Sequence, residues 1–195
     1  MHIEAIEQDI KKDIPHEETI RKVYLSYPHF AFIGKENLQY EIFSEVSNFF
    51  SIPIHSIQIT GSGKIGQSLH KNTVFDPVES DLDIAIIDER LFIKYMEIVS
   101  NLTNGYRDAT KFGRDTRTGV SLKSEYLTCI SKGIFPPRIM PACEERNEIN
   151  SFFGKLATKH TKYFKGINAY LYLSQSFFEK KQRTAIEAHI KNKEL

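Results

Sequence analysis

The sequence has little cysteine and no long apolar run. Its two cysteines, Cys129 and Cys143, are too few for a disulfide framework and lack the paired spacing of a zinc site. Apolar runs such as IAII at 84–87 fall far short of the roughly 20 residues that cross a membrane. The first 18 residues alternate charges with apolar side chains, unlike a signal peptide. We therefore expect a cytoplasmic protein with no membrane partner.

Neither sign of charge dominates, since 26 Lys and Arg face 25 Asp and Glu. This balance excludes a protein that coats nucleic acid through its net charge alone. The chain also shows no internal repeat and no low-complexity tract. Its 195 residues, 41% of them hydrophobic, favour a single domain. We expect a helical N-terminal extension at 1–36 and a core at 37–102. An irregular insert, a further strand and a closing helix should occupy 103–195.

The hydrophobic periodicity predicts an α+β fold with a small mixed sheet flanked by helices. Ser176 is a candidate N-cap of the last helix. The predicted helices are 3–25, broken near Pro15, then 37–50, 90–102, 144–158 and 176–193; the predicted strands are 56–60, 82–87 and 166–173. The stretch between 103 and 135 gives no clear pattern.

Two carboxylates stand at the start of the predicted strand 82–87. Asp81 and Asp83 are two residues apart, so a strand sends both to one face while Leu82 and Ile84 turn to the other. Such a pair, completed by waters and phosphates, suits Mg²⁺, and two such ions can clamp the oxygens of a phosphoryl transfer. An Asp-x-Asp motif can also simply place polar side chains at a solvated strand end. The pair alone therefore does not establish a metal site, and a second motif is needed.

Gly61 and Ser62 supply that second motif at the end of the preceding strand. Glycine permits close backbone approach, and exposed amides with a hydroxyl can hold phosphate oxygens. Lys64 could pair with a phosphate or be a solvated turn residue. The segment is not a P-loop, because its glycines lack the required spacing, and it lacks the later glycine of a dinucleotide fingerprint.

These motifs, Ile59-Thr-Gly-Ser62 followed by Ser80-Asp-Leu-Asp-Ile-Ala-Ile86, resemble the signature of the DNA polymerase beta-like nucleotidyltransferase superfamily, in a short, minimal form. The resemblance covers roughly residues 38–102. It implies a nucleotidyltransferase fold in which Gly61 and Ser62 contact the nucleotide phosphates. It also implies that Asp81 and Asp83 are catalytic and bind two Mg²⁺ ions.

The sequence departs from that family at two points. The distance from Ser62 to Asp81 implies an inserted loop that holds His70, Lys71 and Asn72. The family's third carboxylate belongs on a later neighbouring strand, but the predicted strand 166–173 contains no acid. Three acidic residues elsewhere are the candidate substitutes: Asp108, Asp115 and Glu125.

Two functions follow from this reading. The first is a metal-dependent nucleotidyltransferase that moves a nucleoside monophosphate from an NTP onto an acceptor hydroxyl of a protein or nucleic acid. The alternative is a catalytically degenerate member that senses nucleotides or regulates a partner. A protein partner could supply the acceptor surface in either case. A basic cluster with interleaved aromatics could contact nucleotide or be a solvated loop; it comprises Arg107, Lys111, Arg114 and Arg117 with Tyr106 and Phe112.

Overall fold

The computed structural model describes residues 1–193 and has an α+β architecture built on a four-stranded mixed sheet. The strand order is β1-β2-β4-β3. β2 pairs antiparallel with β1 and parallel with β4, and β3 closes the other edge antiparallel to β4. The strands are β1 (Ile57–Thr60), β2 (Leu82–Ile87), β3 (Ile134–Phe135) and β4 (Ile167–Tyr172). The expected mixed sheet is thereby confirmed, including the placement of β4 beside β2.

Eight α-helices surround the sheet within the described residues. They are α1 (His2–Lys11), α2 (His16–Ile20), α3 (Glu36–Phe50), α4 (Gly61–Ile65), α5 (Glu89–Leu102), α6 (Lys123–Ser131), α7 (Glu144–Lys159) and α8 (Gln175–Lys193). Short 3₁₀ turns at 30–32, 54–56, 109–111 and 137–139 and a π-helical turn at 21–26 complete the chain. Within residues 1–193, no helix has both the length and the apolar character needed to cross a membrane.

Successive side chains of each strand point to opposite faces of the sheet, and the two faces pack against different helices. Leu82, Ile84 and Ile86 of β2 are almost fully buried on the first face. They belong to the larger core cluster, to which α3, α5 and α7 contribute their buried residues. Asp81 and Asp83 belong to the opposite face, as the spacing predicts.

The second face is covered by the two ends of the chain. Ile3 and Ile6 of α1 and Phe178 and Ile186 of α8 join Tyr172 of β4 in one buried cluster. Ion pairs between α8 and the N-terminal segment, Arg21 with Glu179 and Arg183 with Glu17, lie at the edge of this cluster. The segment 1–36, expected to be an extension, is therefore part of the core.

Two details of the predicted secondary structure are wrong. The region 103–135 was expected to be irregular, but it contains α6, which buries only Tyr126 and so shows no helical periodicity. Helix α8 begins one residue early, at Gln175, and the Phe178 amide donates to the Ser174 carbonyl. Ser176 is thus inside the first turn and is not the N-cap.

Candidate functional site

Asp81 and Asp83 lie at the end of the sheet where β2 begins, on the face covered by α1, α2 and α8. Asp83 is paired with Thr60 of β1 on one side and with Asn168 of β4 on the other. Asp81 precedes the strand and is exposed, whereas Asp83 is half-buried. The two carboxylates therefore belong to the same face of the sheet, at its edge, and the charge of Asp81 acts on Asp83.

Two glycines make room for these carboxylates. Gly61 has a φ of +61°, and a Cβ added to it would lie 3.1 Å from Asp83 Oδ2. A Cβ on Gly166 would lie 2.8 Å from Asp81 Oδ1. A side chain at either position would press against a carboxylate oxygen, and at Gly61 it would also be strained by the left-handed backbone. Gly61 thus brings its backbone close to Asp83, while its contact with nucleotide phosphates stays a prediction.

Burial raises the pKa of Asp83 to about 6, and the neighbouring charge of Asp81 adds to the effect. The positive charge of Lys71 acts in the opposite direction. Because burial and Asp81 outweigh the charge of Lys71, the ionised form of Asp83 remains disfavoured. The donor set of two carboxylates therefore fits a hard divalent cation such as Mg²⁺.

Asn168 occupies the position on β4 directly opposite Asp83. Residues paired in adjacent parallel strands point to the same face, so the Asn168 carboxamide shares a face with Asp83. The resemblance implies a third carboxylate on a later neighbouring strand, and β4 carries this carboxamide and no acid. None of the three acidic substitutes lines a cavity together with Asp83. Asp108 and Asp115 accept hydrogen bonds from Thr110 and from Thr118 in their own turns, and Glu125 is exposed on α6.

Lys64 does not reach the carboxylate pair. Its side chain is fully buried under α4, where Nζ donates to the Tyr27 carbonyl at 2.7 Å and lies 3.1 Å from His29 Nδ1. Burial lowers the pKa of Lys64 to about 8. Burial, with the lysine charge beside it, lowers the pKa of His29 to about 3. This arrangement ties α4 to the segment that precedes α3, so the predicted phosphate contact of Lys64 has no support in the geometry.

Two cavities meet at Asp83 and Tyr170, which line both of them. The first, here called the α7 cavity, has about 590 Å³ and is lined by Arg138, Asn150 and Asn168. The second, the α8 cavity, has about 380 Å³ and extends from Thr60 and Gly61 to helix α8. Both volumes lie within or near the range of small-molecule sites. Asp83 thus lies between two spaces, each large enough for part of a substrate.

The loop between α4 and β2 supplies polar groups that the sequence did not single out as ligands. It is a compact hairpin, in which the Ser68 amide donates to the Thr73 carbonyl and the Phe75 amide to the Gly66 carbonyl. Ser68 and His70 line the α8 cavity. Lys71 is exposed, with its charge near Asp83. The inserted loop therefore brings a cation to the carboxylates.

The site thus combines carboxylate and carboxamide oxygens with two adjoining cavities. Comparison of the chain with protein-family models, curated proteins and solved structures finds no match. The assignment of a function therefore depends on the residues of the site.

Other polar clusters are explained without a ligand. Glu41, Glu45 and His160 bring three potential metal ligands within 4.8 Å of one another, but Lys159 already forms ion pairs with both carboxylates. The four cations of the basic cluster are exposed and line neither cavity, while Phe112 is buried in the larger core. Neither cluster is part of the candidate site.

Proposed function

We propose that the protein is a Mg²⁺-dependent nucleotidyltransferase of the polymerase beta-like fold, acting on an NTP and an acceptor hydroxyl. The observation that carries the proposal is the placement of Asp83 against Gly61 at the junction of two cavities, where the charge of Asp81 also acts on it. Paired carboxylates beside a backbone that can approach phosphates are what such a reaction requires.

Each group of the site has a role in this proposal. Asp81 and Asp83 would hold Mg²⁺, which when bound neutralises charge on the phosphates and leaving pyrophosphate. Gly61 and Ser62 present backbone amides and a hydroxyl to the phosphate oxygens. Lys71 adds a mobile positive charge beside Asp83. The donor nucleotide occupies the α8 cavity, next to Gly61, and the acceptor approaches from the α7 cavity, next to Asn168 and Arg138.

Asn168 favours a second candidate, a nucleotide-binding protein without turnover. During transfer the acceptor hydroxyl must lose its proton, and a carboxamide cannot take it. A carboxamide also contributes no charge to a metal site. Binding of Mg²⁺ and NTP would remain, since Asp81 and Asp83 are still present. The two candidates thus share the same site and differ in catalysis.

The test is isothermal titration of the four NTPs into the protein with Mg²⁺, with pyrophosphate release followed in the same samples. Asp81→Asn should weaken Mg²⁺-dependent binding at least about tenfold, since even residues that only support metal ligands typically cost 10- to 100-fold. Glu89→Gln, an exposed acid at the start of α5, is the matched control. Equal binding by wild type and Asp81→Asn would refute the metal site.

Asn168→Asp separates the two candidates. If the wild type only binds nucleotide, the added carboxylate completes the metal site and should raise both Mg²⁺ affinity and any pyrophosphate release. If the wild type already releases pyrophosphate, the second candidate is excluded.

A further inference from the structure

The α8 cavity has the walls of a site for a planar ring. Tyr24 and Tyr172 are almost fully buried along it, and Ile65 and Ile134 contribute apolar surface. Both tyrosines pack edge-on against Phe178, which fixes their rings. Aromatic and aliphatic walls of this kind desolvate a planar ring that enters the cavity.

A buried carboxamide stands on the same wall. Gln182 of α8 lines the cavity although it is only 5% exposed, and it is the one carboxamide among the described lining residues. Burial of a carboxamide is costly unless its donors and acceptor find partners. A ligand in the cavity would meet this group, which carries a donor and an acceptor side by side.

Of the two purines, adenine is the one that offers a carboxamide a donor beside an acceptor on its Hoogsteen edge. Its N6 amino donor is flanked by the ring acceptors N7 and N1, so a glutamine can make a paired hydrogen bond from either edge. Guanine presents two acceptors, O6 and N7, on the edge where adenine presents one of each kind. A fixed glutamine can therefore pair with adenine through its Hoogsteen or its Watson–Crick edge, whereas the Hoogsteen edge of guanine offers it no donor.

We propose that the α8 cavity binds the adenosine part of the donor nucleotide and that Gln182 recognises the adenine edge. This inference rests on the proposed function, which places the phosphates at Gly61 and Asp83, at one end of the same cavity. The base then lies towards α8, between the buried tyrosines and Gln182. Gln182 is a specificity-determining residue and takes no part in transfer.

The experiment is titration of ATP, GTP, CTP and UTP, each with Mg²⁺, into the wild type, Gln182→Leu and Gln182→Glu. ATP should bind the wild type roughly 5- to 150-fold more tightly than GTP, since a paired hydrogen bond to a base is worth about 1–3 kcal/mol of discrimination. Gln182→Leu should lose this preference. Gln182→Glu keeps the size of the side chain but replaces the amide donor with a carboxylate oxygen, so it should lose the preference too.

Gln175→Leu is the matched control, because it makes the same substitution on the same helix outside the cavity. It should retain the preference for ATP. Equal binding of all four nucleotides, or a preference for ATP that survives both Gln182 variants, would overturn the inference and leave the proposed function intact. Absence of Mg²⁺-dependent binding for every nucleotide would overturn both.

Discussion

Asp83, the proposed metal ligand, carries a cost in stability. Its carboxyl has a pKa of about 6 in the folded protein, raised from an ordinary value of 3.8 by burial and by Asp81. The folded state thus holds this proton more tightly than the unfolded chain does. Between about pH 4 and pH 6, the free energy of unfolding should therefore fall as the pH rises.

Asp83→Asn should remove this pH dependence. In metal-free buffer the variant should exceed the wild type in free energy of unfolding by up to about 3 kcal/mol at pH 7.5, following 1.36 kcal/mol for each pKa unit. At pH 4 the two proteins should be nearly equal. Urea unfolding at both pH values measures the difference, with Glu89→Gln as the exposed control.

Magnesium supplies a further check on Asp83. At pH 7.5, Mg²⁺ should raise the unfolding free energy of the wild type, because it binds the folded state, and should have little effect on Asp83→Asn. Equal free energies of unfolding for the wild type and Asp83→Asn, in metal-free buffer at pH 7.5, would show that ionised Asp83 does not destabilise the fold.

At the scale of elements, the fold of α4 and of the loop before β2 places Lys71, and not Lys64, near Asp83. Lys64 follows the Gly-Ser motif closely in sequence, but the helical turn of α4 directs it to Tyr27 and His29. Lys71 is further along the chain, yet the hairpin returns it to Asp83. We therefore expect the phosphate contact to come from Lys71.

Lys71→Ala should weaken Mg²⁺-dependent NTP binding by about two- to tenfold, with the loss smaller at high salt because the contact is exposed and screened. Lys64→Met should leave the affinity within about twofold, while its thermal stability changes because the Tyr27 carbonyl loses its donor. Titration at two salt concentrations tests both variants. A large loss of affinity in Lys64→Met alone would reverse the assignment.

These lysines also show which features of the site local sequence patterns can predict and which depend on the tertiary fold. Strand alternation predicts the shared face of Asp81 and Asp83, because it depends on residues two apart. The register that sets Asn168 opposite Asp83 comes from a strand more than 80 residues later, and no local pattern encodes it. Gln182 was missed for the same reason, since a glutamine on a mostly polar helix gives no signal until the tertiary fold buries it.

At the scale of the whole molecule, the two ends of the chain build the wall of the α8 cavity together. Tyr24 comes from the N-terminal segment, Tyr172 from the sheet and Gln182 from the closing helix. Phe178 touches both tyrosines and is fully buried. The shape of the cavity therefore depends on contacts between segments that are far apart in sequence.

Phe178→Ala should lower the free energy of unfolding by about 3–5 kcal/mol, the usual cost of removing a buried phenylalanine side chain. It should also weaken nucleotide binding, because Tyr24 and Tyr172 lose the ring that orients them.

The control is Tyr40→Ala, which removes an aromatic side chain that is 69% exposed on α3. It should change the free energy of unfolding by less than about 0.5 kcal/mol. Urea unfolding and nucleotide titration of both variants measure the two effects. If Phe178→Ala unfolds more easily but, where still folded, binds nucleotide as the wild type does, the base does not lie against these tyrosines.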